Sequence, residues 1–278
     1  MSILNHKIDF AALLSVTMAN PNGDPLDGNR PRTDYEDYGE ISDVCIKRKI
    51  RNRMMDLGYD VFVQSDDKNK DGLTSLSDRA SKNLPKTKDN KVYSNAACEK
   101  WIDVRSFGQV FAFKADSVSV GVRGPVSIHQ AVSAAPIEVE SMQITKSVNS
   151  EPSEKRSSDT MGMKHFVRYG LYKLKGSINV QLAEKTGFTN EDADIIKECL
   201  RTLFVNDSSS ARPEGSMEVV KLYWWEHNSK DGQYSSAKVH RLLEVKQKDN
   251  SKIPQSIDDF TITLGSLDGL KCEEIEGC

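Results

Sequence analysis

An α+β fold is what this 278-residue sequence predicts, on three observations. A strand-like alternation opens the chain. Two helical stripes stand far apart along it. Short β-type runs fill the space between and after them. Ile8, Phe10, Ala12, Leu14, Val16 and Met18 alternate with smaller or polar neighbours, which argues a half-buried strand. The loop NPNGDPLDGNRPRTD follows, Asn20 to Asp34, rich in turn-forming residues and nearly empty of anything to bury. A helix is expected from about Ser42 to Leu57, capped by Ser42 or Asp43 and stopped by Gly58. Its apolar stripe is Ile46, Ile50, Met54 and Leu57. Lys47, Arg48 and Arg51 lie beside it, with no acid at helical spacing to balance them.

Asp60 to Gln64 reads as a short strand. The polar stretch from about Ser65 to Asn95 reads as an insertion or mobile subdomain. Within it, DKNKDGLTSLSD (Asp67 to Asp78) matches calcium-loop spacing, but it ends on a short Asp and lacks an entering helix, so a solvated turn is the better reading. Val118, Val120, Val122, Val126 and Ile128 keep even parity, with a bulge or edge expected at Gly124-Pro125. Ile137 to Val148 and Met163 to Leu174 suit the arms of a hairpin around the polar NSEPSEKRSSDTMGM. A second helix spans about Asn190 to Val205, capped by Thr189. Met217 to His227, Val239 to Val245 and Phe260 to Leu264 read as strands. No internal repeat or linker is visible, so residues 1–278 are expected to form one domain. The order is compatible with a βαββαβ core, the split βαβ or ferredoxin-like plan. The RNA-recognition motif shares that plan and presents a sheet and loops suited to RNA.

The bulk chemistry is unassertive. Hydrophobic residues make up 37 % and net charge is −3, so no polyanion partner is advertised by the total. The basic charge is local instead, concentrated between Cys45 and Met55, while the tail from Asp268 is acidic. Five cysteines at no metal spacing read as reduced thiols. No apolar run is long enough for a bilayer, and MSILNHKIDF lacks a signal-peptide layout, so a cytoplasmic location and no membrane partner are expected. No Walker loop, GxSxG or HExxH is present. Asp24 in the opening loop is a candidate base or metal holder, and by itself it is a turn aspartate.

Several motifs occur in a fixed order: NPNGDPLDGNRPRTD, DVCIKRKIRN, DVRSFGQVFAF, VRGPVSIHQAVSAAPIE, YGLYKLKGSINVQLAEKTGF and SSSARPEGSM. Together they resemble the backbone subunit of type I-C CRISPR Cascade, the Cas-seven family of the RAMP superfamily. The resemblance implies a modified RNA-recognition-motif palm with finger-like insertions and a β-hairpin thumb, here about 137–169. It implies a non-catalytic subunit that polymerises on CRISPR RNA as a helical filament. That filament presents the guide to target DNA in antiviral defence. Implied partners are further copies of the chain and Cas-five and Cas-eight family subunits, with no cofactor or metal. RNA contacts are expected from Asn22, Arg32, Ser42, Lys47, Arg48 and Arg51, and secondarily from Arg105 and Gln109. At the thumb, Lys146, Lys164, His165 and Arg168 are expected to grip phosphates and Met161 or Met163 to wedge between bases. The competing reading is a RAMP-type endoribonuclease using Asp24, or His165 or His129 without metal. A calcium-regulated module on Asp67 to Asp78 ranks last.

Overall fold

Strand β1 (Ile8–Ala19) leads to the two-residue strands β2 (Gly23–Asp24) and β3 (Arg30–Pro31), then β4 (Tyr38–Ile41) and helix α1 (Asp43–Asp56). The computed structural model describes residues 2–113, 119–145 and 161–278. Helices α2 (Leu76–Asn83), α3 (Asn90–Lys100) and α4 (Ile102–Phe107) follow. Next come β5 (Gly108–Phe111), β6 (Val120–Arg123), β7 (Val126–Ile128), β8 (Ala131–Pro136), β9 (Val139–Thr145) and the long β10 (Met161–Ile178). The last third holds α5 (Val180–Thr186), α6 (Asn190–Arg201), β11 (Met217–Glu226) and α7 (Ser236–His240). It closes with β12 (Leu243–Gln247), β13 (Phe260–Leu264) and β14 (Cys272–Glu276).

The main sheet is antiparallel, ordered β14-β11-β1-β10-β8-β4, with β7 and β9 also paired to β10. β1 lies at its centre and is buried on both faces, not half-buried as its alternation suggests. Phe10, Ala12, Leu14 and Val16 meet Ile46, Ile50 and Met54 of α1 and Ile196, Cys199 and Leu200 of α6. The smaller residues between them serve a second core: Ala11 and Leu13 pack with Tyr223, Trp225, Val239 of α7, and the β12–β13 hairpin. The period-two signal here records large against small side chains, not buried against wet ones. Gly176, opposite Phe10, is required by this packing: a Cβ there would sit 2.2 Å from the Phe10 ring. That space lets Phe10 lie flat and stack on Trp224 at 5.5 Å.

Both long helices form where their caps place them. Ser42 accepts from the Cys45 N–H at 3.2 Å, and Thr189 and Asp192 close a capping box on α6. The Asp60–Gln64 strand does not form. The backbone N–H groups of Phe62 and Val63 donate instead to the buried Asp103 carboxylate, at 2.7 and 3.1 Å, and have no ladder to join. The polar stretch from Ser65 to Asn95 holds α2 and α3, which pack with Phe62, Trp101 and Phe111 as a third core. Within it, both oxygens of Asp71 accept from Arg79, at 2.6 and 2.8 Å, so the calcium-like spacing serves an internal ion pair. The Val239–Val245 strand begins late: Val239 belongs to α7, whose single turn drives it into the second core. The acidic tail holds β14, an edge strand on β11. Its Glu273 pairs with Lys197, and Glu274 and Glu276 pair with Lys221. No helix of the described residues is long and apolar enough to cross a membrane.

One buried acid sets a pH dependence. Asp9 is fully buried on β1. The Gln233 N–H donates to His227 Nδ1 at 3.0 Å, which leaves His227 Nε2–H to donate to Asp9 at 2.8 Å. Burial raises the Asp9 carboxyl, but bonds from His227 and Ser236 and the Lys7 charge overcome it and leave it below the ordinary value. Burial also lowers His240, partly offset by its bond to the Gly176 carbonyl. An unfolded chain therefore binds a proton at His240 before the folded one does. Stability falls as pH drops below about 6.5, and a second loss follows as Asp9 protonates below the ordinary carboxylate range. Thermal melts are expected to show a lower Tm at about pH 5 than at about pH 8, and His240→Gln to flatten that interval.

Candidate nucleic-acid interface

The opening loop is a built structure. β1 ends in a kink: Met18 has a left-handed φ of 52°, after which Ala19, not the next even residue, turns into the helical core. Asn20 is buried. Its N–H donates to the Ala211 carbonyl at 2.9 Å and its amide to the Asn29 carbonyl at 2.7 Å. β2 and β3 then pair as a miniature ladder, Gly23 with Pro31 and Asp24 with Arg30. Gly23 has room only for hydrogen, since a Cβ would lie 2.0 Å from the Asn29 amide oxygen. Asp24 caps the turn by accepting from the Leu26 N–H at 3.0 Å, and both its oxygens face Arg32 at 3.3 Å. The aspartate that nuclease chemistry would need is therefore occupied by a turn and a guanidinium.

The loop docks on α1 and on the β9–β10 hairpin. Asn22 accepts from the Ser42 N–H at 2.9 Å, so both are used in seating the loop on the helix N-terminus. Ser42 in turn caps that helix, so its hydroxyl has a structural partner too. On the other side, Arg30 donates to Ser141 Oγ at 2.9 Å, and Ser141 Oγ lies 2.8 Å from His165 Nδ1. β3 thus meets the base of the hairpin. Cross-strand pairing puts His165 opposite Ser141, Met163 opposite Gln143 and Met161 opposite Thr145, on one face. Lys164, opposite Met142, projects from the other. Met161 and Met163 are more than half exposed, as is Met142. Lys164 has no hydrogen-bond or ion-pair partner among the described residues. Lys146 lies outside the described residues.

The basic helix divides its charges. Lys47 pairs with Asp43 one turn earlier at 2.9 Å, on the surface, so, contrary to the sequence reading, one of the three cations does have an acid at helical spacing. Arg48 donates to the Val63 carbonyl at 2.7 Å. Arg51 donates to the buried Asp103 at 2.9 Å and lies over the Phe107 ring. Lys49, not singled out from the sequence, is buried against Asp207, which Arg212 also meets at 3.2 Å. Arg105 forks onto Asp192 at 2.9 and 2.8 Å and so anchors α4 to the α6 capping box. Gln109 lies on the two-stranded β5–β6 finger and donates to the Val110 carbonyl. Arg168 meets Glu140 at 3.3 Å and Gln255 at 3.2 Å.

The geometry thus gathers Asn22, Arg32, Ser42 and Lys47 at the loop–helix junction and Lys164 and His165 at the hairpin. It commits Arg48, Arg51 and Arg105 inward. Sequence reasoning passed over Arg30, the residue that joins loop to hairpin, and Tyr35, later in the same loop and 93 % exposed. The signal was the run NRPRTDY: two arginines and an aromatic in a loop with nothing to bury.

A sequence model of the family described as "CRISPR-associated protein Cas7" matches residues 6–265. A protein of that description from Haloferax volcanii is 24 % identical over 268 residues, covering 89 % of this chain and 77 % of the relative. A chain of a solved "CRISPR RNA-guided surveillance complex, pre-nicking" is similar in fold, with a TM-score of 0.51 and 18 % identity, covering 84 % of this chain and 81 % of that one.

The division of labour on α1 is testable. Arg51→Ala leaves Asp103 buried without its counter-charge and is expected to cost about 3 kcal/mol. Lys47→Ala should stay within about 0.5 kcal/mol of the parent. Urea unfolding of the two variants checks the contrast.

Proposed function

The chain belongs to the CRISPR-associated Cas7 family, and on that premise we propose that it is a non-catalytic, guide-RNA-binding backbone subunit of a type I-C Cascade complex. Copies polymerise head to tail along CRISPR RNA, an arrangement that needs a heterologous, non-closing interface. The guide is then displayed for pairing with target DNA, alongside Cas-five and Cas-eight family subunits. The observation that carries this reading is the bridge from Arg30 through Ser141 to His165. It makes the opening loop and the hairpin one basic, partly apolar wall.

A backbone subunit must accept any spacer, so it should hold phosphates and leave base edges free. Arg30, Arg32, Lys47 and Lys164 supply charge without base-specific geometry. The β9–β10 hairpin is the thumb in this reading, and Met161 and Met163, exposed on one face, are its wedge. The order β11-β1-β10-β8, with α1 and α6 on one face, supports a ferredoxin-like, RNA-recognition-motif palm. The bonds that hold Asp24 support a structural role for it, not cleavage.

Arg30→Ala combined with Lys164→Ala is expected to weaken RNA binding about tenfold for two unrelated spacers alike. The double variant should also lower the salt slope by about 2. Fluorescence titration at several salt concentrations reads both. Unchanged affinity, or a loss confined to one spacer, would count against the proposal.

A further inference from the structure

The face of the main sheet opposite α1 carries a cleft that the guide site does not use. Its floor is β10, where Lys173 and Lys175 stand opposite Leu13 and Ala11 on the second-core face. Its walls include His129, His240 and Arg241, and its volume is about 530 Å³. Three cations therefore meet in one recess. Among the described lining residues Glu244 is the one carboxylate; it pairs with Lys246 at 2.7 Å and also acts on Lys173. Lys173 donates to the Leu243 carbonyl at 3.0 Å. Lys175 and Arg241 have no hydrogen-bond or ion-pair partner among the described residues. Burial and then the Lys175 charge pull the Lys173 ammonium below its ordinary pKa. Like charges held together in a recess favour an anion between them.

The recess is larger than a bare phosphate needs and falls in the range of small-molecule sites. It also has rings: His129 and His240 meet edge to face at 5.9 Å, and His129 is exposed. A ring platform beside a cationic pair is the arrangement that holds a base next to its phosphate. An acidic peptide would use the charges but not the platform. We propose that this cleft binds a nucleoside phosphate, with the phosphate on Lys175 and Arg241 and the base against His129. The same chemistry is offered by a free nucleotide and by one unit of a nucleic-acid strand crossing this face, a path separate from the guide wall.

Calorimetric titration of the full chain with UMP, with a short oligouridylate and with a polyglutamate peptide tests this. Saturable binding of UMP, weakened about tenfold or more by Lys175→Gln with Arg241→Gln, is the expected result and identifies a free nucleotide as sufficient. Binding of the oligouridylate alone, weakened by the same double variant, supports a strand as the source. Neither side chain has a partner among the described residues, so the double variant should melt with the parent. Lys47→Ala, at the guide wall, should leave UMP binding unchanged. Failure of both nucleotide probes, capture of polyglutamate alone, or equal binding by the double variant would overturn the proposal.

Discussion

The buried carboxylate of Asp103 is the interaction on which the arrangement of the loop–hairpin wall depends. It accepts from Arg51 of α1 and from the N–H groups of Phe62 and Val63. Charge-assisted bonds of this kind are strong only when the carboxylate is fully satisfied, as here. Through them α1, the segment that follows it and α4 become one unit. With α1 held, Ser42 is fixed, Asn22 can seat on it, and the opening loop acquires a definite path to the hairpin. A basic helix first read as a contact surface is in large part a structural strut.

That strut explains why so many cations sit together in a protein of net charge −3. Arg48 and Arg51 fasten the helix to the third-core lobe, and Lys49 fastens it to the loop carrying Asp207 and Arg212. What remains for a ligand is at the margins: Lys47 at the helix surface, Arg30 and Arg32 on the loop, and Lys164 and His165 on the hairpin. The loop and the His165 face of the hairpin join because Arg30 of β3 and His165 of β10 both meet Ser141 of β9, while Lys164 projects from the hairpin's other face. Two further cations, Lys175 and Arg241, face the other side of the sheet.

Much of the fold was legible in the sequence. β1, α1, α6, β11 and β13 lie close to their expected places, because each carries a periodic apolar stripe or a cap of its own. The missing pieces depend on distant partners. Residues 60–64 read as a short strand, but Asp103, 41 residues from Phe62, takes the donors a ladder would have used. The acidic tail has no local sign of being a strand; β11 supplies its partner. The same limit governed the site. Arg51 looked unbalanced because no acid lies one helical turn away, whereas its acid is 52 positions on. Lys49 finds its own 158 positions on. Charge counting along a helix cannot see such partners. It drew attention to the loop and the hairpin, whose residues carry charge and turn chemistry with little to bury.

The most direct test of this account is an electron cryomicroscopy map of the chain assembled on a guide RNA. The prediction is phosphate density against Arg30 and Lys164, with Arg51 still bonded to Asp103 and the β9–β10 hairpin inserted between nucleotides. A map in which Arg51 leaves Asp103 to contact the RNA, or in which the strand avoids the loop–hairpin wall, would contradict it.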